Sequence, residues 1–170
     1  MFAAVDVFYD EAQSRARAAC VIFPDALGDR ITEELVVPVS PIAAYAPGAF
    51  YRRELPCIEA VVGSRAAGLE LLFVDGYVYL NEDERPGLGW HVHQSLGVPV
   101  IGVAKKRFAD AEKFSDVVLR GGSQQPLYVT QVGYRGSAAD LVRQMHGAHR
   151  IPTVLRRADQ LARGNDMPKG

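Results

Sequence analysis

Two short and almost wholly apolar runs, residues 69–74 and 98–103, constrain the fold of this chain more than any other feature. Runs of this length without polar alternation are typical of strands that are covered on both faces of a sheet. A helical pattern over residues 87–97 lies between them, and a strand–helix–strand unit pairs its strands in parallel through a right-handed crossover. The sequence therefore predicts an α/β fold whose sheet has a parallel portion.

The first 40 residues carry a different pattern. They predict three strands, over residues 2–8, 15–23 and 31–39, with Pro24 and Gly28 supplying turn chemistry between the second and the third. Strands that follow one another through short turns form an antiparallel meander. We therefore expect a mixed sheet in which a three-stranded antiparallel meander adjoins the parallel strands.

Helices and one more strand complete this mixed sheet. Apolar residues at helical spacing predict a helix over residues 49–65, and a further strand is predicted over residues 126–132. Ser137 and Asp140 resemble a capping box that opens another helix. Pro152 suits the first turn of a last helix. The predicted architecture is thus a mixed sheet flanked by helices.

The chain has 170 residues, of which 48% are apolar, as in one globular domain. We expect this domain to span residues 1–164 and residues 165–170 to form a frayed tail. No run approaches the roughly 18 to 20 apolar residues of a membrane helix, and the amino terminus lacks the features of a signal peptide. We therefore expect a cytoplasmic protein with no membrane partner.

Cys20 and Cys57 are too few for a disulfide framework or a zinc site, so we expect structural thiols.

The balance of charges gives no global sign of nucleic-acid binding. Nineteen basic residues against 20 acidic ones leave a net charge of −1. A nucleic acid would have to be held by local basic clusters, each of which, taken alone, is better explained as solvated surface charge. Three such clusters are Arg52-Arg53, Lys105-Lys106-Arg107 and Arg156-Arg157.

Asp6 is the residue that fits its surroundings least well. It lies in the middle of the first predicted strand, whose two faces are otherwise apolar, and burial of an unpaired carboxylate there is expensive. A strand that ends early, or a salt bridge to an arginine, is an alternative explanation. Without either, a cation should lie beside Asp6.

Two further acids could join Asp6 at one edge of the sheet. Asp75 ends an apolar run, at the edge where α/β sheets place ligands, although an Asp-Gly pair is by itself more often a turn. Glu54 would ordinarily face solvent, but the first turns of a helix that packs across the sheet can overhang the first strand. Three such carboxylates repel one another and therefore suit Mg²⁺ or Mn²⁺. A pair of Mg²⁺ ions there could activate water and stabilise the leaving oxygen of a phosphodiester.

Short motifs run through most of the chain in a fixed order: Val5-Asp6-Val7, Tyr45-Ala46-Pro47-Gly48, Arg53-Glu54-x-Pro56, Phe73-Val74-Asp75-Gly76, Gly102-Val103-Ala104-Lys105, Pro126-Leu127-Tyr128-Val129, His149-Arg150-Ile151-Pro152 and Arg157-Ala158-Asp159. Each motif alone is a weak signal. In this order they resemble the endonuclease V family, which has a ribonuclease H-like fold and cuts nucleic acid near hypoxanthine, the base of inosine.

The resemblance implies the chemistry of five residues. Asp6, Glu54 and Asp75 would be metal ligands and catalytic residues, and Asp159 stands where the family has a further ligand. Lys105 would be the active-site lysine, which steadies a phosphate oxygen by its charge.

The resemblance also implies a base-binding region. The family's wedge loop, which separates the strands where the base turns out, corresponds to Tyr45, Ala46, Pro47 and Gly48. The residues that would line the base pocket are Gly48, Gly76, Gly87 and Leu88. His91 matches a family histidine, for which a core or capping role is an equal alternative.

The implied function is that of a Mg²⁺-dependent endonuclease, with Mn²⁺ as a substitute. It would act as a monomer and cleave on the 3′ side of a deaminated purine in DNA or RNA, by two-metal activation of water. One alternative keeps the fold and the metal but selects RNA or structured DNA instead. Another is a catalytically silent module that binds nucleic acid or a partner.

Four departures from the family pattern bear on the base pocket and on contacts with nucleic acid. Val78 replaces the second glycine of Asp-Gly-x-Gly, and Asn81 stands in place of a histidine in a loop that is one residue longer. Gln131 begins a segment that replaces the usual Ser-Pro-Gly-His, and the first strand opens at Phe2 with no counterpart of the family's amino-terminal helix. We therefore expect an altered or less selective pocket.

Overall fold

The computed structural model describes residues 1–165 of the chain. Seven strands form one sheet: β1 (Phe2–Asp10), β2 (Arg15–Phe23), β3 (Glu33–Val39), β4 (Leu71–Val74), β5 (Val100–Ala104), β6 (Asp116–Val118) and β7 (Leu127–Val132). Their order across the sheet is β3-β2-β1-β4-β5-β7-β6. The helices are α1 (Tyr51–Val62), α2 (Leu88–Leu96), α3 (Ala138–Gln144) and α4 (Thr153–Ala162), with 3₁₀ turns at Gly63–Gly68 and Ala111–Lys113.

The sheet is mixed in the way that the sequence predicts. β1, β2 and β3 pair antiparallel, whereas β4 lies parallel to both β1 and β5. β7 returns antiparallel to β5 and carries β6 on its outer edge. The predicted meander and the predicted parallel pair are therefore both confirmed.

The central strands separate two apolar layers because their side chains alternate between the faces. In β4, Leu71 and Phe73 enter the layer under α3 and α4, while Leu72 and Val74 enter the layer under α1 and α2. All four side chains are buried. A strand that contributes to both layers must be apolar throughout, which explains the run in the sequence.

The helix ends agree with the predicted caps at one helix and differ by a few residues elsewhere. The Ser137 side chain accepts a hydrogen bond from the Asp140 amide at 3.2 Å, as expected of an N-cap. α1 ends at Val62, earlier than predicted, because the chain tightens there into a 3₁₀ turn. β3 begins at Glu33, two residues later than predicted.

Three smaller expectations can be compared with the structure. Cys20 and Cys57 are buried and unpaired, as expected of structural thiols. Over residues 1–165, no helix is long and apolar enough to cross a membrane. Most of the predicted frayed tail, residues 166–170, lies outside the described residues, and the Asn165 amide donates a hydrogen bond to the Gln160 carbonyl at 2.9 Å.

Candidate active site

The parallel register of β1 and β4 brings two carboxylates together. Val5 is paired with Val74, so Asp6 and Asp75 follow side by side at the edge of the sheet. Asp6 is only 12% exposed, and one of its carboxylate oxygens accepts a hydrogen bond from the Val7 amide at 2.8 Å. Burial and the nearby Asp75 carboxylate raise the pKa of Asp6 to about 7, although Lys105 and the Val7 amide oppose this shift.

Lys105 follows β5 and supplies the positive charge that Asp6 requires. Its ammonium nitrogen lies 2.7 Å from a carboxylate oxygen of Asp75, 3.9 Å from Asp6 and 4.0 Å from Asp159. Burial lowers the pKa of this ammonium, but the attraction of the surrounding carboxylates outweighs burial, and the net shift is upward. Lys105 is therefore charged and sits among three acids. The charged partner of Asp6 is a lysine, not the arginine considered from the sequence.

Glu54 reaches the same edge of the sheet from α1. Its side chain is 5% exposed, and burial, together with the Asp6 and Asp75 charges, raises its pKa to about 8. Glu54 lines a cavity of about 420 Å³ with Asp6, Asp75 and Lys105, which we call the acid cavity. The expectation that the first turns of α1 overhang the first strand is therefore met.

Asp159 approaches from the opposite side, on α4. This helix packs across β1 and β2 through its apolar face, which leaves Asp159 beside the end of the sheet. One of its carboxylate oxygens accepts a hydrogen bond from the Arg163 guanidinium at 2.9 Å. The acids thus converge from both layers of the fold on the carboxyl edge of β1 and β4.

The donor set suits a hard divalent cation, although the side chains are arranged around a lysine. Carboxylate oxygens are the ligands that Mg²⁺ and Mn²⁺ prefer. In the described part of the chain, however, no three acidic, histidine or cysteine side chains are placed so that together they could hold a metal ion. Lys105 occupies the position of the cation. A metal ion would therefore require the Lys105 ammonium to move.

A second cavity, of about 340 Å³, adjoins the acid cavity and shares Asp75, Gly76 and Tyr77 with it. We call it the glycine-lined pocket. Five of the residues predicted for base binding line it: Tyr45, Gly48, Gly76, Gly87 and Leu88. Ala46 and Pro47 are not among the described residues that line it, and Tyr45 is 63% exposed at its rim.

Close backbone packing explains two glycines around this pocket. A Cβ atom on Gly87 would lie 2.6 Å from the Tyr77 carbonyl oxygen, and one on Gly102 would lie 2.4 Å from the Gly76 carbonyl oxygen. The Thr130 hydroxyl accepts a hydrogen bond from the Val78 amide at 2.8 Å. The segment that follows Asp75 is therefore fixed against β5 and β7 by contacts that leave no room for a side chain.

Tyr77 forms one wall of the glycine-lined pocket, a role that sequence reasoning did not identify. Its hydroxyl donates a hydrogen bond to the Lys106 carbonyl at 2.7 Å and accepts one from the Phe108 amide at 3.2 Å. Its ring contacts those of Phe108, Phe114 and Tyr128. The only sign of this role in the sequence was that the segment after Asp75 departs from the family pattern, at Val78 and Asn81.

The structure agrees with one of the predictions for His91 and contradicts that for Arg53. His91 stacks on the Tyr51 ring, with ring centres 3.5 Å apart, which agrees with the alternative of a packing role. Arg53 was expected to be solvated surface charge, and this is wrong. Its side chain is buried, its guanidinium lies 4.1 Å from the centre of the Tyr9 ring, and it forms an ion pair with Glu11.

The fold and the clustered acids at the carboxyl edge of its parallel strands define the class of protein: a nuclease with a ribonuclease H-like fold. Comparison with known proteins supports this class. The crystal structure of endonuclease V from Streptomyces avermitilis matches with a TM-score of 0.78 at 29% identity and covers 96% of this chain and 80% of that one.

The family can be named more narrowly. The family model for endonuclease V matches residues 1–136. Endonuclease V from Streptomyces coelicolor is 31% identical over 180 residues, which cover 94% of this chain and 76% of that protein. The chain belongs to the endonuclease V family.

A further relative is known with nucleic acid bound. Ciona intestinalis endonuclease V, crystallised with a 24mer DNA that contains an inosine followed by a ribo-adenosine, matches with a TM-score of 0.80. The match covers 96% of this chain and 84% of that one, and at 17% identity it is a likeness of fold.

Proposed function

We propose that this chain is a divalent-metal-dependent endonuclease that cleaves a phosphodiester on the 3′ side of hypoxanthine in DNA or RNA. The observation that carries this proposal is the contact between its two cavities. The acid cavity, suited to phosphodiester chemistry, adjoins the glycine-lined pocket, and Asp75 and Gly76 line both. A base bound in the glycine-lined pocket would therefore place the sugar–phosphate backbone of its own strand at the acid cavity.

Asp6, Glu54, Asp75 and Asp159 are the residues that would hold the metal, which we expect to be Mg²⁺ with Mn²⁺ as a substitute. Bound there as a pair, such ions would supply the activation of water and the stabilisation of the leaving oxygen. The raised pKa values of Asp6 and Glu54 support the proposal, because buried carboxylates that repel one another are stabilised by added positive charge.

The chain's own groups would position the substrate. Gly76 and Gly87 allow the backbone to approach a flat purine, and Leu88 provides an apolar surface for it. Tyr45, exposed at the rim, would fill the space that the base leaves in its strand. Lys105, freed from its acids, would pair with a phosphate oxygen.

Cleavage of matched oligonucleotides tests this proposal. DNA and RNA strands that contain one inosine, and control strands with guanosine at that position, are incubated with the protein in Mg²⁺, in Mn²⁺ and in EDTA. We expect cleavage of the inosine strands only, on their 3′ side, and none in EDTA. Asp6→Asn should abolish cleavage, while Leu119→Ala, which alters an exposed residue elsewhere, should cleave like the wild type. No cleavage by the wild type, or full activity of Asp6→Asn, would refute the proposal.

A second candidate function keeps the chemistry and changes the selected base or structure. Tyr77 and Val78 favour it, because the first forms a wall of the pocket and the second is buried behind it, both on the segment that departs from the family pattern. Equal cleavage of the inosine and guanosine strands would support this alternative. A catalytically silent module is disfavoured, since it has no physical reason to retain buried like charges. Action as a monomer in the cytoplasm stays a prediction.

A further inference from the structure

A groove of about 640 Å³ lies beside the acid cavity, on the side of α4. We call it the Phe8 groove; its walls come from the end of β1, the start of β2, the end of β3 and the residues after α4. Asp6 and Phe8 are two residues apart in β1, so their side chains leave the same face of the sheet about 6.6 Å apart along the strand. Arg163 lines both the acid cavity and the Phe8 groove. The groove and the acid cavity therefore meet at Arg163.

Phe8 presents an aromatic ring to this groove. The ring is 39% exposed, although it lies next to a site of buried charges. The Arg163 guanidinium lies 5.4 Å from the ring centre, while it also pairs with Asp159. An isolated exposed apolar residue needs no explanation. An exposed ring that is paired with a guanidinium and lines a groove is the arrangement on which nucleic-acid bases stack.

The charges of the groove favour a polyanion. Among the described residues that line it, Arg15, Arg17 and Arg163 are basic and Asp10 is acidic, and Arg163 is also paired with Asp159. Arg17 is engaged by the Leu161 carbonyl, to which its Nε donates a hydrogen bond at 3.1 Å. Arg15 lies at the start of β2 with an exposed side chain. A chain of net charge −1 therefore concentrates positive charge at the point where a strand would leave the acid cavity.

Resting on the proposed function, we propose that the Phe8 groove binds the nucleotide on the 3′ side of the cleaved bond. The glycine-lined pocket, which meets the acid cavity at Asp75 and Gly76, would hold the base on the 5′ side, whereas the Phe8 groove meets that cavity at Arg163. The base would stack on Phe8, and its phosphate would contact Arg15 and Arg163. Because a base can stack on a protein ring only when it is unstacked from its neighbours, this nucleotide is single-stranded.

The test measures binding of fluorescent single-stranded inosine oligonucleotides that end at increasing distances on the 3′ side or on the 5′ side. Anisotropy in EDTA gives the dissociation constants without cleavage. In the wild type, extension on the 3′ side past the cleaved bond should tighten binding about tenfold, which is the scale of one base–aromatic stack. In Phe8→Ala this gain should disappear, whereas the gain from extension on the 5′ side should persist.

Three further variants distinguish stacking on Phe8 from a structural role and test the phosphate contact. Phe8→Trp should restore the 3′ gain, and Leu119→Ala, which removes an exposed apolar side chain elsewhere, should retain it. Arg15→Gln should lower the slope of the logarithm of affinity against the logarithm of salt concentration by about 0.7, as for one lost phosphate contact on a single strand.

The possible results distinguish this inference from the proposed function. If the wild type cleaves inosine strands but Phe8→Ala keeps the full 3′ gain, the groove is not a nucleotide site and the proposed function stands. If Phe8→Ala weakens 3′-extended and 5′-extended strands alike, the inference is again overturned. If the wild type neither binds an inosine strand nor cleaves one in Mg²⁺ or Mn²⁺, both proposals fall. Loss of the 3′ gain alone, with rescue by tryptophan, supports the inference.

Discussion

The acid cavity and the glycine-lined pocket adjoin each other, yet they are built in different ways. Asp6 lies within β1, and Asp75 and Lys105 directly follow the neighbouring strands β4 and β5, so backbone pairing fixes their relative positions. The glycine-lined pocket is built mainly from connecting segments, whose positions depend on contacts such as that of Gly87 with the Tyr77 carbonyl. We infer that the chemistry of this protein tolerates change poorly, whereas its choice of base changes easily.

The largest effect is expected at the acid cavity. Asp75→Asn removes a charge that pairs with Lys105 and that we propose to hold the metal. We expect kcat to fall by more than about a hundredfold, the loss that outer partners of metal ligands can already cause. Affinity for an inosine oligonucleotide should be retained, because the pocket keeps its shape.

Single-turnover kinetics and anisotropy on the same preparation test this prediction. If Asp75→Asn lost binding together with cleavage, this would contradict the assignment of cleavage to the acid cavity and of base binding to the glycine-lined pocket.

The next effect is expected at the glycine-lined pocket. Gly87→Ala places a methyl group within 2.6 Å of the Tyr77 carbonyl, so the backbone must shift. We expect a loss of stability of about 1–3 kcal/mol, as for overpacking elsewhere, and weaker discrimination between inosine and guanosine strands. Gly68→Ala is a matched control, because a Cβ atom there meets no atom within 4 Å. Chemical denaturation and competitive cleavage measure the two effects, and equal behaviour of the two variants would contradict the prediction.

The next prediction concerns the acid cavity alone: the stability of the protein should depend on pH through Glu54, which does not line the glycine-lined pocket. Burial raises the pKa of Glu54 from 4.5 to about 8, so the folded protein holds a proton that the unfolded chain releases above pH 4.5. The stability of the metal-free protein should therefore be fully present below pH 4.5 and should fall as the pH rises towards 8. Glu54→Gln cannot ionise and should flatten this dependence. Thermal melts in EDTA between pH 4.5 and 8.5 measure it, and parallel curves for the two proteins would show that Glu54 is not the source.

The smallest effect is expected from Tyr77→Phe. This change removes the hydroxyl that bridges the Lys106 carbonyl and the Phe108 amide but keeps the ring. We expect a loss of about 1 kcal/mol, which lowers Tm by about 2–4 °C in a domain of this size. Differential scanning calorimetry can resolve this shift. Tyr45→Phe, in an exposed ring, is the control and should leave Tm unchanged; a Tyr77→Phe variant with unchanged Tm would show that the bridge adds no stability.

The sequence predicted those features that depend on local pattern. Asp6 and Asp75 could be paired from the sequence because each interrupts or ends an apolar run, and parallel pairing then places them together. Asp159 was expected at the site from the family resemblance, and its position on α4 brings it to 4.0 Å from Lys105. The strand β6 was missed because it has three residues, two of them exposed, and so carries no apolar pattern.

Other features depend on contacts between distant parts of the chain. Arg53 follows another arginine early in a helix, and nothing local shows that Glu11 and the Tyr9 ring bury it. Arg163 reaches Phe8 across more than 150 residues of sequence, and Tyr77 becomes a wall only after Phe108 and Tyr128 have packed against it. Such contacts follow from the complete fold and leave no periodic trace in the sequence.

The position of Lys105 bears on whether the chain must bind a metal ion before it can fold. Its ammonium already neutralises part of the charge of Asp6, Asp75 and Asp159, so the newly made chain carries an internal counterion. A zinc finger, by contrast, stays unfolded until its ion arrives. If the chain binds the metal ion that we propose, we expect it to fold first and to take up that ion afterwards, in exchange for the Lys105 ammonium. Metal binding and folding would then be separate steps, and a cell that lacks the metal would accumulate folded but inactive protein.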